Sequence, residues 1–372
     1  MTTHRRNRSR TVAGAAVTAL VSCASVAVGT SGAEAATTGV ALPAGFHASV
    51  FASGGKLTGP DDITQLNGHV YVGYQNGVGP NGDPSSTGNT TGTVVEYTLQ
   101  GKQIATWTLT GKIDGLGTDP TRNRVIATVN EDSNSSVYTI TEKWGEHGAE
   151  PGGYLKHYSF SQNPLPHGGG TDSVVVKNGV IYLSASNPSA DANGTTFSGP
   201  ALYKADFEGS TVVLTPVLSG DSTATDAVTG QKVTLNLSDP DSSELVPHNV
   251  ARFGSQLLLD SQGDSELIFL SHSAQADQQA TVLKLSTQVD DTAFVTDTHG
   301  TLFMVDNAKN EVIAVTGDFK SGEAFSAVPN DSTVIPGNLG SVNLTTGQVT
   351  AFGSGFGNPH GLLFIGHEGD EH

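Results

Sequence analysis

Cysteine is almost absent: Cys23 is the only one, and it falls in a stretch expected to be cut away, so the remaining chain has no disulfide and must stand on its core. Basic residues are scarce too, with 18 Lys and Arg against 36 Asp and Glu, a formal charge of −18. That balance keeps a chain soluble and excludes nucleic acid and anionic membrane surfaces as expected partners. Sustained helical periodicity is nearly missing. The best helix candidate is 274–285, and its end, Thr281-Val282-Leu283-Lys284-Leu285, already reads as strand. No P-loop, G-x-S-x-G, H-E-x-x-H or EF-hand loop is present, which removes the commonest nucleotide, serine-hydrolase and zinc-protease signatures.

What is present begins with Arg5, Arg6, Arg8 and Arg10, an Ala- and Val-rich run, and Ala33-Glu34-Ala35. A basic region, an apolar region and an A-x-A site make residues 1–35 a secretory signal peptide and leave 36–372 as a single domain. Without residues 1–35 the chain loses four Arg and one Glu, so 18 and 36 become 14 and 35, a charge of −21. Arg5-Arg6 raises the twin-arginine route, but Asn7 and Arg8 stand where apolar residues are needed. Leu20-Val21-Ser22-Cys23 resembles a lipobox, so lipid anchoring at Cys23 is the alternative to a secreted, extracellular product.

From residue 45 onward the apolar runs are short, β-branched or aromatic, and separated by Gly, Asn, Asp, Pro or Ser. Val70-Tyr71-Val72-Gly73-Tyr74 and Val94-Val95-Glu96-Tyr97 are typical. The class is all-β. The runs fall into cycles: an opening, a turn such as Asn67-Gly68 or Asn178-Gly179, then two or three further strands. The fifth cycle reads as an opening at Asp291, a turn at His299-Gly300, and strands at 302–306 and 311–315. Four-stranded units repeated at about 40 to 75 residues are what propeller blades look like in sequence, since one blade cannot bury both faces alone.

Each cycle opens alike, with an Asp or His, one small or polar residue, and an apolar run. The openings are Asp61-Asp62-Ile63, Asp114-Gly115-Leu116, Asp172-Ser173-Val174, His248-Asn249-Val250 and His360-Gly361-Leu362, with a weaker copy at Asp290-Asp291-Thr292. The stretch from Gly300-Thr301-Leu302-Phe303 to Glu311-Val312-Ile313-Ala314-Val315, and the opening Asn358-Pro359-His360-Gly361-Leu362, resemble the NHL/TolB-like six-bladed β-propeller superfamily, with its gluconolactonase-like fold. The resemblance covers most of 45–366 and is one of fold. It implies six blades, with seven left open, and a ring closed by pairing 46–51 with C-terminal strands. Insertions at 79–92, 143–153, 186–199 and 220–245 are expected as loops on one rim. The superfamily's sugar-lactone lactonases resemble one another in a calcium set with a Glu near the first blade and Asn and Asp from others. Here Gly59-Pro60-Asp61-Asp62 offers no Glu, and Asn249 is the only Asn at an opening.

In a propeller the residue before the innermost strand stands at the channel mouth. Asp61, Asp114, Asp172, His248, Asp291 and His360 would then converge, with Asp290 as an alternative to Asp291. Four carboxylates crowded in a tunnel cannot all stay ionised without a cation. A divalent ion, calcium, zinc or manganese, would resolve the conflict, with His248 and His360 as candidate base and ligand. The competing reading is structural: Asp before a strand binds backbone amides two residues on. Pro166-His167-Gly168-Gly169-Gly170 reads as a hinge, 239–244 as a solvated acidic loop, and 367–372 as a frayed tail.

Two functions follow. One is a secreted metal-dependent hydrolase or lyase on a small ester, lactone or carbohydrate derivative. The other is a non-catalytic extracellular propeller that binds a glycan, peptide or protein. Either is expected as a monomer. N-terminal sequencing of the exported protein should begin at Ala36; a membrane-bound product beginning with lipidated Cys23 would establish the lipobox instead.

Overall fold

In the computed structural model, residues 39–145, 148–187 and 195–367 are described. The expected leader, with Cys23, lies outside them, as do 368–372 of the tail. Two kinds of strand sequence recur. Val70, Tyr71 and Val72 are fully buried, as are Leu257 and Leu259, because these segments have sheet neighbours on both sides and packed layers on both faces. The hydrophobic alternation expected of a half-exposed strand is lost there, and a continuous apolar run replaces it.

The chain enters through β1 (Phe46–Ser53). An antiparallel sheet follows, formed in order by β2 (Pro60–Leu66), β3 (His69–Tyr74), β4 (Thr91–Thr98) and β5 (Gln103–Thr110). The second unit is β6 (Ile113–Asp119), β7 (Arg124–Val129), β8 (Ser136–Gly145) and β9 (Gly148–Phe160). The third is β10 (Thr171–Lys177), β11 (Val180–Ala185), β12 (Pro200–Glu208) and β13 (Thr211–Ser219). A short parallel pairing of β13 with β9 joins these two into one eight-stranded sheet. Next come β14 (Thr223–Asp226), β15 (Lys232–Thr234), β16 (Pro240–Leu245), β17 (Leu257–Ser261), β18 (Glu266–Ser271) and β19 (Gln279–Lys284), in the order β15-β14-β19-β18-β17-β16. The last stretch holds β20 (Thr292–Phe294), β21 (Gly300–Asp306), β22 (Glu311–Gly317), β23 (Ala324–Val328), β24 (Asn338–Val342), β25 (Val349–Ala351) and β26 (Pro359–Gly366).

Those last strands are interleaved. β20 pairs with β23, and the sheet runs β20-β23-β24-β25, whereas the hairpin β21–β22 sits in a separate sheet ordered β1-β22-β21-β26. This corrects the fifth cycle, which assigned 302–306 and 311–315 to the unit opened at Asp291. The reason is packing on two sides. Phe303, Val305 and Val312 join Val70, Val72 and Val95 of the first sheet. Leu302, Met304 and Ile313 face Phe325, Ala327 and Leu339. The same exchange explains why 319–357 carries more strand than one unit needs. It also puts the first and last strands in one sheet, with Phe46 opposite Gly317 and Leu362 opposite Met304.

Other expectations shift. The segment at 274–285 contains strand β19, not helix, and 143–153 and 220–245 are partly sheet rather than rim loops. β2 packs against β6, β6 against β10, β10 against β16, β16 against β20, and both β20 and β2 against β26. Deleting 353–365 removes most of β26 and bares an edge of the sheet that holds β1. Calorimetry should show a lower, broader transition for the whole domain; a truncated protein melting as sharply and as hot as the full chain would refute that dependence.

Candidate functional site

One backbone irregularity builds the site. Between Pro60 and Ile63 the register with β3 shifts, so Asp61 and Asp62 together oppose Gly73. The same two-against-one bulge recurs between Ile113 and Leu116, Thr171 and Val174, and Pro240 and Ser243, and on β26 between Pro359 and Leu362. Before β20, Asp290 N donates to Ala327 O and Asp291 O accepts from Ala327 N, so two residues again oppose one. A bulge re-aims a side chain and bends its strand. Here it turns the first bulged residue toward a common space.

The residues so placed are Asp61, Asp114, Asp172, Asp241, Asp290 and His360, all lining one cavity of about 350 Å³. Five carboxylates and one imidazole thus share one position in six strands. Asp61, Asp114, Asp172 and His360 stand where the openings put them. His248 does not: it lies on an exposed turn after β16, and Asp241 holds the fourth position. The error arose because 239–244 reads as a polar loop, with no apolar run after its Asp, although it forms the innermost strand.

Asp291 lines the same cavity, but its carboxylate is tied to backbone. Its Oδ1 accepts from Thr292 N at 2.7 Å, and its Oδ2 accepts from Leu362 N of the next unit at 2.7 Å. Asp62 does the same with Ile63 N and Leu116 N, both at 2.6 Å. Where the second bulged residue is small, a hydroxyl opposite takes over. Thr128 Oγ1 accepts from Gly115 N and donates to Asp172 O, and Ser184 Oγ accepts from Ser173 N and donates to Asp241 O. Gly361 is required for this closeness, since a Cβ there would lie 2.8 Å from Asp61 O. The structural reading of Asp before a strand therefore holds for the second bulged residue, and the converging ring belongs to the first.

Two cations face the ring. Lys112 lies 2.8 Å from Asp114 and also pairs with Glu131. His360 Nδ1 lies 3.1 Å from Asp61 and 3.2 Å from Asp290. Asn358 Oδ1 accepts from Asn330 N, so its amide nitrogen faces His360 Nε2 at 2.7 Å. The ring proton therefore stands at Nδ1, between the carboxylates. Burial disfavours an imidazolium, but Asp290 and Asp61 outweigh it and raise His360 to about 9. Below that value Nε2 carries a proton as well, and the Asn358 amide then turns its oxygen toward it.

Asp172 and Asp241 are hydrogen-bonded to each other, side chain to side chain, and Lys112 acts on Asp172 from a distance. Burial pushes both well above the carboxylate range, and each raises further carboxylates or is raised by them: Glu131 and Asp114 act on Asp172, and Asp172 and Asp290 act on Asp241. Asp114 is raised by burial against the pull of Lys112, and Asp290 is raised to about 7 by burial against the pull of His360. Lys112, Glu131, Asn307 and Asn358 also line the cavity, and sequence reasoning missed them because none occupies the repeated opening position. Asn249 is not at the mouth; its amide donates to Val295 O, Thr296 O and Ser321 Oγ. His167 is fully buried, bonded to Tyr203 Oη and Gly170 O at 2.7 Å each, and lowered to about 4 by burial, which makes it a neutral hinge.

No family profile and no curated protein matches the sequence. Among solved structures, the chain is similar to a periplasmic gluconolactonase from Pseudomonas aeruginosa, with 13% identity, 82% of this chain and 88% of that one covered, and a TM-score of 0.44. It is similar to a streptogramin B lyase, with 13% identity, 85% and 91% covered, and a TM-score of 0.42. A protein from Lactobacillus plantarum gives 11%, 83%, 89% and 0.45. The scores are low, and the architecture rests on the strand pairing set out above.

The ring gives a signed pH dependence. Asp290 has a folded value of about 7, above its ordinary 3.8, so it binds a proton more tightly folded than unfolded. Its contribution to stability is full below its unfolded value and is lost as pH rises through about 7. In chelator-treated protein, Asp290→Asn should melt near wild type at pH 5 and above it at pH 8. A variant equally displaced at both pH values would show that Asp290 does not titrate there.

Proposed function

We propose that this chain is an exported, monomeric six-bladed β-propeller, closed by the sheet that β1 and β26 share, and that its channel mouth is a divalent-metal centre for hydrolysis of a small lactone or ester. The observation that carries the reading is the ring: five carboxylates and His360 at one register position, with Lys112 the only lysine or arginine among the described residues that line the cavity. Lys112 serves Asp114, and His360 serves Asp61 and Asp290. Asp172 and Asp241, which share a hydrogen bond, are the pair whose proton a cation would displace.

The donor set fits such an ion. Carboxylate oxygens predominate, amides of Asn307 and Asn358 line the same cavity, and a hard cation prefers oxygen. That favours calcium or manganese, with zinc requiring a turn of His360. A bound divalent ion would polarise a carbonyl oxygen or acidify a water. The chain's own residues would do the rest. His360, raised to about 9, would supply a proton to a leaving oxygen, and Asp290, raised to about 7, is poised to accept one. The cavity admits a sugar-sized molecule, and its crowded acidity disfavours anionic substrates.

The test is a melt of chelated protein against calcium, manganese and zinc. A ligand that binds only the folded state at a hundredfold excess over Kd adds about 2.7 kcal/mol, a rise of several degrees. Asp172→Asn and Asp241→Asn should lose most of it, and His248→Ala, on its exposed turn, should keep it. Lactone hydrolysis should fall with the two ring variants and not with His248→Ala. Wild type whose melting ignores all three metals would end the metal reading.

A further inference from the structure

At the other end of β2, away from the channel mouth, His69, Glu96 and Glu142 form a second cluster. One ligand atom from each lies within 4.8 Å of the others. Glu96 is fully buried and Glu142 nearly so, while His69 keeps 17% of its side chain exposed. His69 Nδ1 stands 2.6 Å from Glu96 Oε1 as an ion-pair contact, and the Tyr71 hydroxyl also serves Glu96. The Glu142 carboxylate stands beside this pair, so an imidazole and two carboxylates face one another across the contact of the two sheets.

The remaining carboxylate oxygens are held as those of metal ligands are. Gly152 N donates to Glu96 Oε2 at 2.9 Å, Tyr71 Oη donates to Glu142 Oε1 at 2.7 Å, and Asn67 Nδ2 donates to Glu142 Oε2 at 2.6 Å. Each contact fixes an orientation and leaves lone pairs free. A zinc ion with bonds of about 2.0–2.1 Å spaces tetrahedral ligand atoms about 3.4 Å apart, between the 2.6 Å contact and the 4.8 Å envelope seen here. One imidazole and two carboxylates suit zinc or manganese better than calcium.

We propose that His69, Glu96 and Glu142 bind one zinc-class divalent ion, which ties β3 and β4 of the first sheet to β8 of the next. The site shares no residue with the channel ring and stands whether or not the ring binds metal. The exposed edge of His69 would be the ion's way in. Its role is to fasten two sheets that touch here through polar side chains in an otherwise apolar contact.

Full-length protein carrying Asp172→Asn/Asp241→Asn lacks the pair of carboxyls proposed to bind metal at the channel and leaves this cluster intact. After chelation and reloading it should hold one zinc per chain, and cobalt(II) in its place should give a ligand-field absorption band. His69→Gln or Glu142→Gln added to that background should abolish both. Tyr71→Phe, which removes the hydroxyl that serves Glu142 and Glu96 and leaves the three ligands in place, should weaken zinc binding about 10- to 100-fold. It also serves if the other variants fail to fold. Absence of zinc from the double variant, zinc retained in His69→Gln and Glu142→Gln, or unchanged affinity in Tyr71→Phe would each overturn the proposal and leave an ion pair.

Discussion

Everything at the channel mouth depends on two residues opposing one at the start of each innermost strand. An ordinary strand alternates its side chains, so of two successive residues only one could face the cavity while the other met the neighbouring layer. The bulge lets both lie toward the mouth with different tasks. The first reaches into shared space, and the second returns to backbone. Asp62 and Asp291 satisfy an amide of their own strand and one of the next unit, so each stitches two units with one carboxylate. Thr128 and Ser184 make the equivalent stitch from the opposite strand, and Gln262 Nε2 on Asp290 and Asn307 Nδ2 on Pro60 O bridge the remaining neighbours. The ring of charges is carried by a ring of hydrogen bonds.

The opening pattern was legible because the bulge constrains chemistry as well as geometry. A residue that must leave the sheet and face a wet cavity is polar, the next must be small or bind backbone, and the third returns to the core. Asp114-Gly115-Leu116 and His360-Gly361-Leu362 show all three steps. Pro240-Asp241-Ser242-Ser243 hides them, because its third residue is Ser243, whose hydroxyl accepts from Ser173 Oγ instead of entering the core. With no apolar residue to end the pattern, His248-Asn249-Val250 offered a better match in the wrong place. Asp290 and Asp291 were indistinguishable by type, and only pairing with Ala327 separates their tasks.

The interleaving of β20 to β26 was not legible for a different reason. Periodicity reports that a strand exists and which faces are buried, not which neighbour it finds. Leu302, Met304 and Ile313 would bury equally well in either sheet by composition alone. What decides is the tertiary environment on both faces, and that is not encoded in any window around 300–317. Lys112 and Glu131 were missed similarly. They sit beside openings, not in them, and only folding brings the lysine within 2.8 Å of Asp114.

Asp260 brings the two rings together in one residue. It is fully buried on β17 opposite the bulge at Asp241-Ser242, the position that Thr128 and Ser184 hold opposite theirs, and neither oxygen has a hydrogen-bond partner. Burial, then the charges of Asp291, Asp290 and Asp239, raise it well above the carboxylate range. A carboxylate there would add another negative charge behind a ring already short of cations. A carboxylic acid adds none, and like a hydroxyl it offers one donor and an acceptor. The site's acidity is therefore smaller than its count of Asp residues: burial raises Asp260 behind the mouth and Asp114, Asp172 and Asp241 at it, so protons as well as Lys112 and His360 offset the crowding.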